Sequence, residues 1–346
     1  MQAVILVGGQ GRRLRPLTDT RPKPMMSLVD RPFVAHQLDL LRRHGVTDVI
    51  FSCGYRPDAL RGHFGDGADA GVRLRYVVDP EPLGTAGAVR NAAELLDGST
   101  VLVLNGDILT DLDLTALVAR HRESGAQGTI ALTPVDDPSA FGLVRLHPDL
   151  SVEAFVEKPS PDELRPGEPY RINAGTYVLE PSVIDMIPSG VACSIEREVF
   201  PRIAAEGSLF GYPSDCYWRD IGTPASYLAA HHDVLSGRVR TDSAAEGTYL
   251  GPGASVAGQA HVDGFSCVGA GAEIQTGAHV DGSVLGDGAR VEEGAEVIGA
   301  IIGAEVTVGA GARIGAGAVV GDGAHIASGA VVDGTEPVPT GARVER

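Results

Sequence analysis

The chain has 346 residues, 43% of them hydrophobic and 21% charged, and its 28 basic and 45 acidic residues give a formal net charge of -17. That length accommodates two globular domains, whereas the negative field disfavours a broad docking face for nucleic acid or anionic lipid. A small phosphorylated ligand needs only a local cluster of cations and backbone N–H groups, so it stays compatible with this charge.

The run from Met1 to Val7 is apolar for only a few residues before Gly8 and Gly9 interrupt it. It is too short for a signal peptide or a membrane span and reads as a buried strand over Ala3–Val7. The loop that follows, Gly8-Gly9-Gln10-Gly11-Arg12-Arg13, combines three glycines, which let backbone N–H groups approach phosphate, with two arginines that neutralise it. It lacks the third glycine of a dinucleotide fingerprint, because Leu14 stands there, and it lacks the GK[ST] ending of a Walker loop. Lysine occurs only twice, at Lys23 and Lys158, each before a proline, while the other 26 basic residues are arginines. A compact ammonium suits a point contact to phosphate, where a planar guanidinium does not simply replace it.

Further along, strands are expected at Asp48–Phe51, Leu74–Val78, Val101–Leu104, Thr129–Thr133 and Ala174–Leu179, with helices at Val34–His44, Thr85–Leu96 and Leu114–Ser124. Thr85, in Pro82-Leu83-Gly84-Thr85, reads as a helix N-cap. This alternation predicts an α/β, Rossmann-like domain over residues 1–236, a mixed and mostly parallel sheet with helices on both faces and ligands beyond the carboxyl ends of its strands. Asp107 ends one apolar strand, a costly place for a carboxylate unless a cation or hydrogen bonds compensate it. Cys53, Cys193, Cys216 and Cys267 lie far apart with no CxxC pair, which points away from a zinc knuckle or disulfide framework and toward a reducing cytoplasm.

After a linker over 237–248, glycine and alanine dominate residues 249–346, and an aliphatic residue recurs every six positions. Leu250, Val256, Val262, Val268, Ile274 and Val280 share one register. Leu285, Val291 and Val297 follow one residue short, and Ile302 through Val332 resume after a second slip. Fifteen such hexads, three to a coil, predict about five coils of a left-handed parallel β-helix. Hexapeptide coils also build acyltransferases with a catalytic histidine, but His261, His279 and His325 each precede a repeat aliphatic in an uninterrupted hexad and read as solvent-facing.

The stretch Gly8 through Pro24 resembles the GGxGxRLxPLT…PKP pattern of the nucleotide-sugar pyrophosphorylases, most closely their mannose-1-phosphate guanylyltransferase-like branch, and further blocks extend the resemblance across the chain. It implies a Mg²⁺-dependent nucleotidyltransferase that moves a nucleoside monophosphate from an NTP to a sugar 1-phosphate and releases pyrophosphate. GTP with mannose 1-phosphate is favoured; glucose 1-phosphate with dTTP or UTP and a cyclitol phosphate stay open. So do a bifunctional acyltransferase and a non-catalytic relative, although an intact set of Arg13, Lys23, Asp107, Lys158 and Asp220 argues against the last.

By that resemblance, Leu6, Gly8, Gly9, Gly11, Arg12, Arg13 and Lys23 contact the nucleotide, and Gly84 and Thr85 line the base pocket. Asp107 and Asp220 hold the metal. Gly142, Glu157 and Asn173 meet the sugar, and Lys158 holds its phosphate. Arg13, Lys23, Asp107 and Lys158 carry catalysis. Arg12 departs from the family's usual Thr or Ser and adds positive charge to the loop. A homo-oligomer without nucleic-acid or membrane partners is expected, the β-helix stabilising the catalytic domain or pairing subunits.

Overall fold

The computed structural model describes residues 1–54, 57–165, 167 and 169–345. They group into two compact units, one of Met1–Gly9 with Gln37–Trp218 and one of Gln10–His36 with the chain from Arg219 onward.

In the first unit, β1 (Gln2–Leu6), β2 (Asp48–Cys53), β3 (Arg73–Val78) and β4 (Val101–Asn105) pair in parallel in the order β4-β1-β2-β3. Helices alternate with them: α1 (Phe33–Arg43), α2 (Pro57–Phe64), α3 (Gly84–Ala92) and α4 (Leu114–Ser124). Apart from Gln2 at the start of β1 and Asn105 at the end of β4, the two strands are apolar runs buried on both faces, as central parallel strands must be. Five more strands among the described residues complete the sheet: β5 (Gly128–Val135), β6 (Gly142–Leu146), β7 (Val152–Glu157), β8 (Tyr170–Leu179) and β9 (Leu209–Pro213). β8 runs antiparallel to β4, β5 and β6; β7 flanks β6, and β9 pairs with β5 in parallel.

The chain leaves β1 to lay β2 and β3 on one side, then returns to place β4 on the other. The carboxyl ends of β1 and β4 therefore form the topological switch point, where an open α/β sheet leaves a crevice for ligand. Leu6 and Asn105 end those strands in register, and the Gly106 N–H donates to the Leu6 carbonyl at 3.0 Å. A Cβ on Gly106 would lie 2.5 Å from that oxygen, so only glycine lets the two backbones meet.

The helix expected over Thr85–Leu96 begins one residue earlier and ends in a 3-10 turn at Ala93–Leu95. Thr85 is not its N-cap: Leu83, whose side chain has no acceptor, occupies that place, and the Ala86 and Gly87 N–H groups donate to the Cys193 carbonyl instead. α4 has the expected bounds, capped by Asp113 and ended by Gly125 at φ 63°.

In the second unit the fifteen repeat aliphatics each sit in their own two- or three-residue strand. Among the described residues the strands stack into three parallel sheets of five, six and five, the coils of a left-handed β-helix. Register pairs such as Leu250 with Val268, Val268 with Leu285 and Leu285 with Ile302 give coils of 17 or 18 residues. The slips fall at corners that Gly282 and Gly299 turn with φ of 54° and 57°. Inside, the aliphatic column packs on a second column two residues earlier, mostly Ala272, Ala278, Ala289 and their equivalents. Ser266 and Ser283 replace alanine there, and the buried Ser283 hydroxyl accepts the Ala300 N–H at 3.1 Å, so its burial is compensated. Leu250 opens the stack and stays half-exposed.

Candidate active site

Beyond the carboxyl end of β4, Asp107 lies in the two-residue turn before Ile108–Thr110, half-buried. That turn is braced from α1, where the Gln37 amide donates to the carbonyls of Asn105 at 2.8 Å and Ile108 at 3.0 Å. Leu6 and Gly8 share this edge of the sheet; Gly8 packs so closely on Gly54 that a Cβ would come within 3.3 Å of its nitrogen, whereas Gly9 has open space around it.

Asn173 sits at a break in β8, where the register shifts before Tyr177 and Gly175 takes φ 71°. Its amide oxygen accepts the Gly175 N–H at 2.9 Å and its nitrogen donates to the Tyr177 hydroxyl at 2.9 Å. Each end of the amide keeps one further hydrogen-bonding position. Tyr177 is wholly buried, and burial first, then the charges of Glu196 and Asp107, hold its hydroxyl well above the ordinary tyrosine range. Gly175 leaves room for Asn105, whose amide nitrogen a Cβ there would approach to 2.9 Å, so the end of β4 packs against the break in β8.

Glu157 closes β7 opposite Gly142 on β6. A Cβ on Gly142 would fall 2.7 Å from the Phe155 ring and 3.0 Å from the Glu157 carboxylate, so this glycine makes room for those side chains. Burial raises the Glu157 carboxyl above its ordinary range, and nearby Glu196 raises it further against the lowering influence of Lys158 and Arg197. Lys158 follows in a left-handed bend, φ 53°, with its N–H on the Phe141 carbonyl at 2.9 Å and its side chain exposed. It lies just past the end of β7, not within the strand.

Gly84 and Thr85 pack against residues 193–196. With φ 70°, Gly84 would place a Cβ 2.6 Å from the Cys193 carbonyl. The Thr85 hydroxyl donates to Glu196 at 2.6 Å and accepts the Ile195 N–H at 2.9 Å. Sequence reasoning missed Asn105, Tyr177, Glu196 and Arg197; the only local signal was the charged run Glu196-Arg197-Glu198, on a π-helical turn over Ile195–Val199.

The second unit carries Gly11, Arg12, Arg13, Lys23 and Asp220. Gly11 takes φ 61°, and a Cβ there would press on Thr18 and Lys23. Arg12 is exposed and bonds Gln10 at 3.0 Å. Lys23 is only 7% exposed, and its ammonium lies 3.8 Å from one oxygen of Asp220 while the exposed Arg13 guanidinium lies 3.8 Å from the other. Gly222 leaves the space for this, since a Cβ would fall 2.5 Å from Arg13. Thr223, not Asp220, caps the helix α7 at Pro224–Leu235 by accepting the Ser226 N–H; the shorter helices α5 (Pro181–Asp185) and α6 (Phe200–Ala205) precede it in the first unit.

Among the described residues no three His, Cys, Asp or Glu side chains are grouped to hold a metal. Asp107 and Asp220 are hard oxygen donors, and a cation on either would complete its shell with phosphate oxygens and water, as Mg²⁺ does at nucleotide sites. The residues fit that ion in this sense. No helix among the described residues is long and apolar enough to cross a membrane. On the coils His261 and His325 are exposed, and His279 meets His261 edge-on at 6.3 Å.

A Rossmann-like sheet with its polar groups gathered at the switch point, a glycine-arginine loop and a hexapeptide β-helix define the class of enzymes that transfer nucleotidyl groups. Residues 2–237 match the family model described as nucleotidyl transferase, and residues 245–341 match the one described as the GMPPB C-terminal domain. The chain belongs to the nucleotidyl transferase family. It is 40% identical over 296 residues to the mannose-1-phosphate guanylyltransferase of Mycobacterium tuberculosis, covering 83% of this chain and 80% of that one. It is 41% identical over 235 residues to the mannose-1-phosphate guanyltransferase of Candida albicans, covering 66% of this chain and 63% of that one. Among solved structures, HddC from Yersinia pseudotuberculosis complexed with GMP-PN is 29% identical, with a TM-score of 0.57 over 66% of this chain and 97% of that one.

Proposed function

We propose that this nucleotidyltransferase converts GTP and mannose 1-phosphate to GDP-mannose and pyrophosphate. The observation that carries the reading is the buried Lys23 with Arg13 on either side of Asp220, a cation–carboxylate–cation set suited to a metal-bound triphosphate. The names of the mycobacterial and fungal relatives support mannose 1-phosphate, and the GMP-PN bound by HddC supports guanine.

In the reaction a phosphate oxygen of the sugar 1-phosphate bonds to the α-phosphorus of GTP while the bond from that phosphorus to the bridging oxygen breaks, and the electron pair leaves with pyrophosphate. No covalent enzyme intermediate is required. Lys158 holds the sugar phosphate. Glu157 and Asn173 bond sugar hydroxyls beside Gly142, the carboxylate through an oxygen and the amide through its remaining N–H and lone pair. Arg13, Lys23 and the N–H groups of Gly8, Gly9 and Gly11 stabilise the departing diphosphate, with Leu6, Arg12, Gly84 and Thr85 around the nucleotide. Asp107 and Asp220 would hold Mg²⁺, which when bound offsets phosphate charge.

The four cysteines, none in a disulfide, support a cytoplasmic setting, and we assign a homo-oligomer whose copy number light scattering would measure. The division into a catalytic domain over 1–236, a linker over 237–248 and a β-helix domain over 249–346 is likewise proposed. The deciding experiment supplies GTP, ATP, UTP and dTTP against mannose, glucose and galactose 1-phosphates and reads pyrophosphate. GTP with mannose 1-phosphate should lead the panel, and Asp107→Asn should abolish turnover. A leading pair with another base or sugar overturns the substrates, and near-normal Asp107→Asn rates at saturating Mg²⁺ overturn the metal role.

A further inference from the structure

At one corner of the β-helix, Asp287 and Asp322 occupy equivalent places between two glycines, Gly286-Asp287-Gly288 and Gly321-Asp322-Gly323. Each uses Oδ1 as a stitch to the coil before, accepting the Ala270 N–H and the Ala304 N–H respectively, both at 2.9 Å. Asp322 does more. Its Oδ2 accepts the Thr20 hydroxyl at 2.5 Å and the Arg21 guanidinium at 3.1 Å.

Thr20 and Arg21 stand three and two residues ahead of Lys23, and Pro22 and Pro24 on either side of that lysine stiffen the chain. Beyond Lys23, the Tyr227 hydroxyl donates to the Ser27 carbonyl, and the Cys267 thiol approaches the Val29 carbonyl at 3.7 Å. Lys23 is therefore carried on a short segment clamped at both ends, and the clamp nearest it comes from the β-helix. The Asp322 side chain is 16% exposed and its Oδ1 is fixed by backbone, so Oδ2 is presented to the segment with little freedom. The same contact neutralises Arg21, which keeps that guanidinium off the phosphates that Lys23 and Arg13 would bind.

We propose that Asp322 is a positioning residue for the triphosphate-binding segment: the β-helix supplies, through this one carboxylate, part of the geometry that aims Lys23. The kinetic arm rests on the reading of Lys23 as a triphosphate contact; a second arm does not.

Asp287→Ala is the control, because it cuts the same stitch without touching the segment. Asp322→Ala should raise the KM for GTP and for pyrophosphate about tenfold, the scale of a lost charge-assisted contact, and leave the KM for mannose 1-phosphate within about twofold. Asp287→Ala should leave all three within about twofold. Asp322→Asn keeps an oxygen for the Ala304 N–H and so folds as the parent, yet should reproduce part of the KM change. Arg21→Ala added to Asp322→Ala should change little more, since both act through one contact. By hydrogen exchange, the amides of Arg21–Ser27 should exchange faster in Asp322→Ala and not in Asp287→Ala. Equal effects of the two alanine variants, or unchanged exchange over Arg21–Ser27 in an active enzyme, overturn the inference. A parent inactive toward every triphosphate overturns the proposed reaction instead, and accelerated exchange confined to Asp322→Ala would still support the positioning role.

Discussion

His231 on α7 has no exposed surface, and its Nδ1 accepts the Val29 N–H at 3.3 Å, which fixes a neutral ring with its proton on Nε2. Burial first, then the charges of His232 and His36, push its pKa down to about 3 against a raising contact with the Ser27 backbone. An unfolded histidine near 6.5 takes up a proton that this folded one refuses. The contribution of His231 to stability is thus complete above pH 6.5 and drains away as the pH falls toward 3. With those two values the loss reaches about 2 kcal/mol at pH 5 and about 4–5 kcal/mol below pH 3. The assay is urea unfolding of the parent and of His231→Asn at pH 7.5, 6 and 5, since the asparagine oxygen can still accept the Val29 N–H but does not titrate. His231→Asn starts less stable through lost packing. Between pH 7.5 and 5, however, the parent should lose about 2 kcal/mol more than the variant. Parallel stability–pH curves would refute the reasoning, as would an NMR signal of a charged His231 ring in folded protein at pH 5.

Gly106→Ala forces a Cβ to within 2.5 Å of the Leu6 carbonyl, where neither backbone can yield without parting the ends of β1 and β4. It should cost about 2–3 kcal/mol and lower the Tm by about 5–10 °C with a severe loss of turnover, whereas Gly9→Ala, with nothing within 4 Å, should stay within about 2 °C of the parent; equal melting temperatures would refute the close-approach argument. Lys158→Gly relieves a left-handed residue while removing the proposed phosphate contact. The melting temperature should hold or rise, and kcat/KM for mannose 1-phosphate should fall about 10²–10³-fold; turnover within threefold of the parent would remove Lys158 from the sugar-phosphate site.

The parts of the fold that follow from local periodicity were open to reading from sequence. An aliphatic every sixth residue can be buried in one column only if each hexad is a strand and a corner, and both one-residue slips, at Val280 to Leu285 and Val297 to Ile302, fall at glycine corners. β1 and β4 were legible because a strand covered on both faces keeps its polar residues, here Gln2 and Asn105, to its ends. β6, β7 and β9 were not. β6 opens on a glycine whose emptiness is filled by Phe155 and Glu157 from the neighbouring strand, and β8, legible only from Ala174 onward, changes register after Asn173, so neither shows a steady alternation over its length.

The candidate site divides the same way, and for a physical reason. A loop that binds phosphate must place several N–H groups within a few residues of one another, so the residues proposed for that role lie contiguously from Gly8 to Lys23. Placing a carboxylate or an amide against a sugar makes no such local demand, and the chain can draw partners from anywhere. Gly175 in the break of β8 makes room for Asn105 from β4, and Glu196 joins Thr85 from 111 residues away. Asp322 is the extreme case: in sequence it is one more polar residue at a glycine corner, indistinguishable from Asp287. Only the folded chain separates them, because one Oδ2 meets Thr20 and Arg21 some 300 positions upstream while the equivalent coil corner at Asp287 makes the stitch alone. A repeat domain can acquire a functional contact without any departure from its repeat, which is why reading the β-helix as scaffold and reading it as part of the catalytic apparatus are distinguished by kinetics and exchange at Lys23 rather than by any motif.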